Sequence, residues 1–232
     1  MRRNYYQMTT TDRTADIYIF GDITSWEWLE SDVSSYTLAR QLQDLQDVDQ
    51  IRVFINSYGG EVAEATAIYN QLKNNPAKVT TICDGFACSA ASVVFMAGDE
   101  RMMNKASRLM IHPASTYAHG TAAQLRKAAD DLESITELSV VAYMDKVNIT
   151  QEKLLELMEA ETWIKPQEAV DMGFATGILE TQDSEKASQS AREAVMRALD
   201  GQLPSPSPAK PEPKQDPKEH NKILKLFERS NA

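Results

Sequence analysis

The 232-residue sequence predicts an α/β domain whose parallel strands are covered by helices, and three observations carry that expectation. β-rich apolar runs alternate with amphipathic helical stretches, the order that parallel pairing requires. Glycine or proline stands at several of the junctions between them. With 42% hydrophobic residues, the chain is long enough for one full core and an extension.

Asp16-Ile17-Tyr18-Ile19-Phe20-Gly21 reads as an opening strand ended by glycine. Leu38, Leu42, Leu45 and Val48 recur at helical spacing, and Ile51–Ile55 follows as a β-rich run. The turn Asn56-Ser57-Tyr58-Gly59-Gly60 leads into a helix marked by Val62, Ala65, Ile68 and Leu72. Asn74-Asn75-Pro76 ends that helix, because proline and the residue before it resist continuation. Lys78–Cys83 is the next strand, Gly85 permits a tight turn, and Ser89–Ala97 reads as an apolar helix. Arg108–Ile111 is a short strand running into His112-Pro113. Residues 121–146 carry a longer helical pattern, with Leu125, Ala128, Leu132, Ile135 and Leu138 on one face. Such a helix is longer than one domain needs to cover its sheet, so it could instead project and pack on a neighbouring subunit.

Composition changes after Glu180. A short helical segment (residues 186–199) precedes a stretch in which six of the nine prolines fall between Pro204 and Pro217. That composition is a semi-extended, solvated linker. The apolar cluster Ile223-Leu224-Lys225-Leu226-Phe227 beyond it is either a frayed tail or a docking peptide. The expected organisation is a folded domain over 1–180, a helical extension over 181–202 and a Pro-rich tail over 203–232.

Charge and composition exclude several function classes. The net charge of −10 argues against nucleic-acid binding, which needs clustered Lys and Arg. Nine Lys/Arg face eight Asp/Glu after residue 180, so the acidic excess belongs to the body. No run approaches the roughly 20 apolar residues of a membrane span. The basic start Met1-Arg2-Arg3 has no apolar run behind it, so no signal peptide is expected and the expected compartment is the cytoplasm. Cys83 and Cys88 cannot build a disulfide framework, and no His/Cys pair has zinc-ligand spacing, so both read as reduced, buried thiols. No G-x-G-x-x-G is present for dinucleotide binding.

Ser89 follows a strand and opens a run of small residues, which puts it at a helix N-terminus where unpaired N–H groups favour negative charge. Taken alone it reads first as an ordinary N-cap serine. Only three histidines can serve as a base. His220 lies in the linker and His119 in a polar loop, whereas His112 directly follows an apolar strand. A histidine there acts as a base only with a nucleophile opposite and an acid orienting its second nitrogen. Gly59-Gly60 is either a simple strand–helix turn or a backbone N–H donor at close approach to a substrate.

Taken together these segments resemble the proteolytic subunit of Clp proteases. Ile55-Asn56-Ser57-Tyr58-Gly59-Gly60 is similar to that family's I-N-S-P-G-G turn. Residues 81–89, Thr-Ile-Cys-Asp-Gly-Phe-Ala-Cys-Ser, resemble its nucleophile segment T-I-C-x-G-x-A-A-S, and Arg108-Leu109-Met110-Ile111-His112-Pro113 resembles its S-R-x-M-I-H-Q-P strand. The likeness runs from about residue 17 to 179.

The resemblance implies a ClpP/crotonase-type fold of repeated β-β-α/β-α units with a projecting handle helix. It implies Ser89 as nucleophile, His112 as base, and the backbone N–H groups of Gly60 and Ala90 as the oxyanion hole, with no cofactor and no metal. The matching acid is Glu161, before Thr162-Trp163-Ile164-Lys165-Pro166, where the family has aspartate; Asp145 and Asp171 are the fallback acids. Expected partners are protein or peptide substrates and further copies of the chain in rings, with seven members implied. Tyr58 in place of the turn proline, an unfamiliar N-terminal segment and the Pro-rich tail look more like Clp-related head-maturation (prohead) proteases of phages and prophages. That likeness implies capsid or scaffold proteins as partners through the tail, in the host cytoplasm or the prohead. The alternatives are a housekeeping subunit working with a Clp ATPase, a crotonase-type acyl-CoA enzyme, and a non-enzymatic assembly protein with a vestigial site.

Overall fold

A computed structural model of the chain describes residues 7–11, 13–29, 31–45 and 48–179. The expected helical extension, Pro-rich tail and terminal apolar cluster, with His220, lie outside the described residues. β1 (Gln7–Thr11) pairs antiparallel with β2 (Thr14–Ile19), which buries every second residue. β3 (Gln50–Ser57) alternates in the same way and lies parallel to β2, Ile17 opposite Val53 and Ile19 opposite Ile55. Between them α1 (Ser35–Asp44) is capped by the Ser34 side chain, which accepts from the Thr37 N–H. It ends at Asp44, four residues before Val48, the last residue of the helical spacing read from the sequence. α2 (Val62–Lys73) buries Ala65, Ile68 and Leu72 against the sheet and stops before Pro76, as its spacing predicted.

β4 (Lys78–Cys88) departs from expectation and builds the site. The strand does not end at Cys83, and there is no turn at Gly85. Its first half pairs in parallel with β5 (Glu100–Asn104), and its second half, Phe86–Cys88, pairs with β6 (Arg108–Ile111). The chain can switch partners at Asp84-Gly85 because Asn56 Oδ1 accepts the Phe86 N–H across the gap at 3.1 Å. The sharp turn comes instead at Ser89, so α3 (Ala90–Phe95) is shorter than the apolar run predicted. All six of its residues are buried.

Like β1 and β5, four further elements are absent from the sequence reading and complete the domain: α5 (Gln151–Glu159), β7 (Thr162–Ile164), α6 (Pro166–Asp171) and β8 (Gly177–Leu179). The described strands form one eight-stranded sheet in the order β1-β2-β3-β4-β5-β8, with β6 on the second half of β4 and β7 antiparallel to β6. Arg101 ties β5 to the β8 side. It is 6% exposed, and its guanidinium donates to the carbonyls of Phe174 (2.8 Å), Gly98 (3.1 Å) and Gly173 (3.2 Å). Those three carbonyls spread the charge of the buried cation and are themselves satisfied by it.

α4 (Ala122–Met144) starts on a capping box: Thr121 Oγ1 accepts from the Gln124 N–H, and Gln124 Oε1 accepts from the Thr121 N–H. Its buried residues lie at the C-terminal end, Ser139, Val140, Ala142 and Tyr143. Of the apolar face read from the sequence, Leu125, Ile135 and Leu138 are all exposed. Among the described residues no helix is long and apolar enough to cross a membrane.

Candidate active site

Ser89 occupies the junction between β4 and α3 with φ 52° and ψ −127°. L-residues rarely adopt that conformation, and holding it costs about 1–3 kcal/mol. The surroundings over-determine it. The Ser89 N–H donates to the Met110 carbonyl of β6 (2.8 Å), and the Ser89 carbonyl accepts from the N–H (2.9 Å) and Oγ (2.5 Å) of Ser92. A strained strand-to-helix turn of this kind lifts a side chain out of the sheet, where a substrate can reach it.

His112 leaves the end of β6, and the pairing of β6 with the second half of β4 brings it beside Ser89. Its Nε2 lies 2.7 Å from Ser89 Oγ, hydrogen-bonding distance for a base and the hydroxyl it deprotonates. For that role Nε2 accepts and the ring proton sits on Nδ1. His119 lies in an exposed stretch and takes no part.

The glycine turn closes the other side. Gly59 has φ 106°, and a Cβ there would lie 2.7 Å from the Cys88 carbonyl oxygen and 2.9 Å from Ala90 N. Gly60 has φ 143°, and its Cβ would collide with the Ile23 carbonyl oxygen. Both positions need glycine for close approach as well as for φ. Ile23 fixes the turn by donating to the Gly59 carbonyl (2.9 Å) and accepting from the Glu61 N–H (2.7 Å). Among the described residues the amides of Gly60 and Ala90 donate to no other group. Both residues line a cavity of about 60 Å³ together with Ser89 and His112. Two free N–H groups beside a hydroxyl–imidazole pair are the donor set that stabilises an oxyanion. A larger groove of about 660 Å³ continues from Gly60, lined by Ile23, Tyr58, Val62, Leu132 and Ile135, which suits an extended chain with apolar side chains.

The acid matched from the sequence stands apart from the imidazole. β6 and β7 pair antiparallel with Ile111 opposite Thr162, so one step further along that register Glu161 stands opposite His112. Yet the Glu161 side chain is exposed and makes no hydrogen bond to the imidazole. Its φ of 50° and its N–H donating to Met158 (2.9 Å) make it the left-handed residue that terminates α5. The fallback carboxylates are engaged elsewhere: Asp145 pairs with Lys73 at 2.7 Å, and Asp171 accepts from Gln167 at 2.9 Å.

Cys83 and Cys88 are buried, and burial raises their thiols to about 12 and about 11, which removes them as competing nucleophiles near neutral pH. Sequence reasoning missed Ser92 and Tyr143, whose hydroxyls meet at 2.7 Å behind the nucleophile. They lie 51 residues apart, so no local pattern could have joined them.

Comparison with known proteins shows the family. The Clp protease family model matches residues 7–182. The chain is 35% identical over 156 residues to an ATP-dependent Clp protease proteolytic subunit of Deinococcus radiodurans, covering 66% of this chain and 76% of that protein. Proteins of the same name from Bacteroides fragilis and Bacteroides thetaiotaomicron are each 31% identical over 153 residues, covering 64% of this chain and 74% and 70% of theirs.

Proposed function

Since the chain belongs to the Clp protease family and is a serine-type peptidase, we propose that Ser89 is its nucleophile and His112 its general base. The 2.7 Å contact between His112 Nε2 and Ser89 Oγ, beside two amides without another partner among the described residues, carries the reading. Ser89 Oγ attacks the scissile carbonyl carbon as its proton passes to Nε2. The Gly60 and Ala90 N–H groups receive the oxyanion, and the imidazolium then protonates the leaving amine. Water, deprotonated by the same imidazole, hydrolyses the acyl-enzyme and returns Ser89 to its hydroxyl form.

Glu161 completes the triad by turning its carboxylate onto His112 Nδ1. Its place opposite His112 supports this, and the extra methylene over aspartate supplies reach. Glu161→Gln should lower kcat about 10- to 100-fold with KM little changed. That is less than loss of a pre-oriented buried acid costs, because this carboxylate starts in solvent. Unchanged steady-state kinetics would remove Glu161 from the mechanism.

The fold reads as the ClpP/crotonase type, with α4 as a handle whose uncovered apolar residues pack between copies in rings of seven. For the biological role, the head-maturation reading rests on Tyr58 in the family's proline position and on the Pro-rich segment after residue 203, which would dock the protease on capsid or scaffold proteins. A second reading, a housekeeping subunit driven by a Clp ATPase, rests on the relatives named ATP-dependent. The two separate in one assay, with purified full chain and a folded capsid-scaffold protein, with and without a Clp ATPase and ATP. Head maturation predicts site-limited cleavage without nucleotide. Cleavage only with the ATPase and ATP overturns it in favour of the second reading.

A further inference from the structure

A chain of hydroxyls runs from α4 to the turn that carries Ser89. The Ser92 Oγ proton goes to the Ser89 carbonyl, because a carbonyl can only accept. A serine has one hydroxyl proton, so in its 2.7 Å contact with the Tyr143 hydroxyl Ser92 is the acceptor and Tyr143 the donor. Tyr143 is 1% exposed, and burial raises its hydroxyl to about 12, so the donor keeps its proton across the neutral range. The Ser89 carbonyl and the Ala90 N–H are the two ends of one planar peptide unit. A bond that holds the oxygen therefore sets the direction of the N–H, and polarising the carbonyl strengthens that N–H as a donor.

We propose that Tyr143 and Ser92 are positioning residues for the oxyanion site. The relay from Tyr143 O–H through Ser92 O–H to the Ser89 carbonyl locks the strained Ser89–Ala90 peptide with its N–H facing the cavity shared with His112. The inference rests on the reading of Ala90 as an oxyanion donor. It also ties the packed end of α4 to the reacting centre through two hydrogen bonds.

The test uses the full chain carrying Ser92→Ala, Tyr143→Phe or both, a fluorogenic peptide substrate, and a peptide aldehyde that forms a tetrahedral adduct with the nucleophile. Ser92→Ala should lower kcat by about 10-fold with KM within about two-fold, since the donor is misaimed rather than deleted. Aldehyde affinity should fall by the same factor. Tyr143→Phe should give a smaller loss of the same kind. Ser92→Ala alone strands a buried tyrosine hydroxyl, so the double variant should regain thermal stability over that single variant while keeping its low kcat. Recovery of kcat in the double variant to within two-fold of wild type would overturn the relay and leave a packing role. So would a loss carried by KM with aldehyde affinity unchanged. Fluorophosphonate labelling of wild type at Ser89 separates the two levels. Without labelling the site reading falls and the relay with it; with labelling and unchanged variant kinetics, only the relay falls.

Discussion

Ser89→Ala should reduce peptide-bond hydrolysis by about 10⁵- to 10⁶-fold and abolish fluorophosphonate labelling, while the protein stays folded. The size follows from covalent catalysis: without Oγ there is no acyl-enzyme, and His112 and the free amides have only water to act on. Folding should survive because, among the described residues, Ser89 Oγ bonds only the His112 side chain, at the edge of a cavity. The bonds that hold the strained turn are made by the backbone of Ser89 and remain in alanine. Stability by urea unfolding should therefore stay within about 1 kcal/mol of wild type, as for most changes outside the core. A pure Ser89→Ala protein that cleaves within ten-fold of wild type would end the assignment.

Gly60→Ala should cost about 10²- to 10³-fold in kcat/KM, the range seen when one oxyanion donor is lost. The added Cβ would meet the Ile23 backbone carbonyl, and φ 143° is a conformation that alanine avoids. The turn must rotate, which swings the Gly60 N–H away from the cavity and loosens the pairing of Ile23 with Gly60. Backbone strain should also lower stability by about 1–3 kcal/mol. Kinetics and urea unfolding measured together separate the two effects. A folded variant with near-normal kcat/KM would show that the Gly60 amide is not a donor.

Much of the scaffold is legible in local pattern. β2, β3 and α2 follow from period-two burial and i, i+3 spacing, signals that neighbouring residues carry among themselves. The order of Gly59-Gly60, Ser89 and His112 after strand-like runs points to the chemistry, through resemblance more than through any one residue. β1, β5, β7 and β8 escape notice because three to five residues carry little periodicity, and none of them has the apolar run ending in His112-Pro113 that marks the equally short β6.

The sequence alone determined the residue types, their order along the chain and the strands they follow, because hydrophobic period and turn chemistry act over a few residues. Only the tertiary structure decided that β4 runs on to Cys88 by exchanging β5 for β6, since a strand ends where its partners end. That exchange places Ser89 in its left-handed turn and brings His112, 23 residues later, to 2.7 Å. The register of β6 with β7 carries Glu161 toward His112 with its carboxylate still in solvent, and the packing of α4 on α3 joins Ser92 to Tyr143 behind the nucleophile. These are long-range distances set by packing and register, and no segment of the sequence holds them by itself.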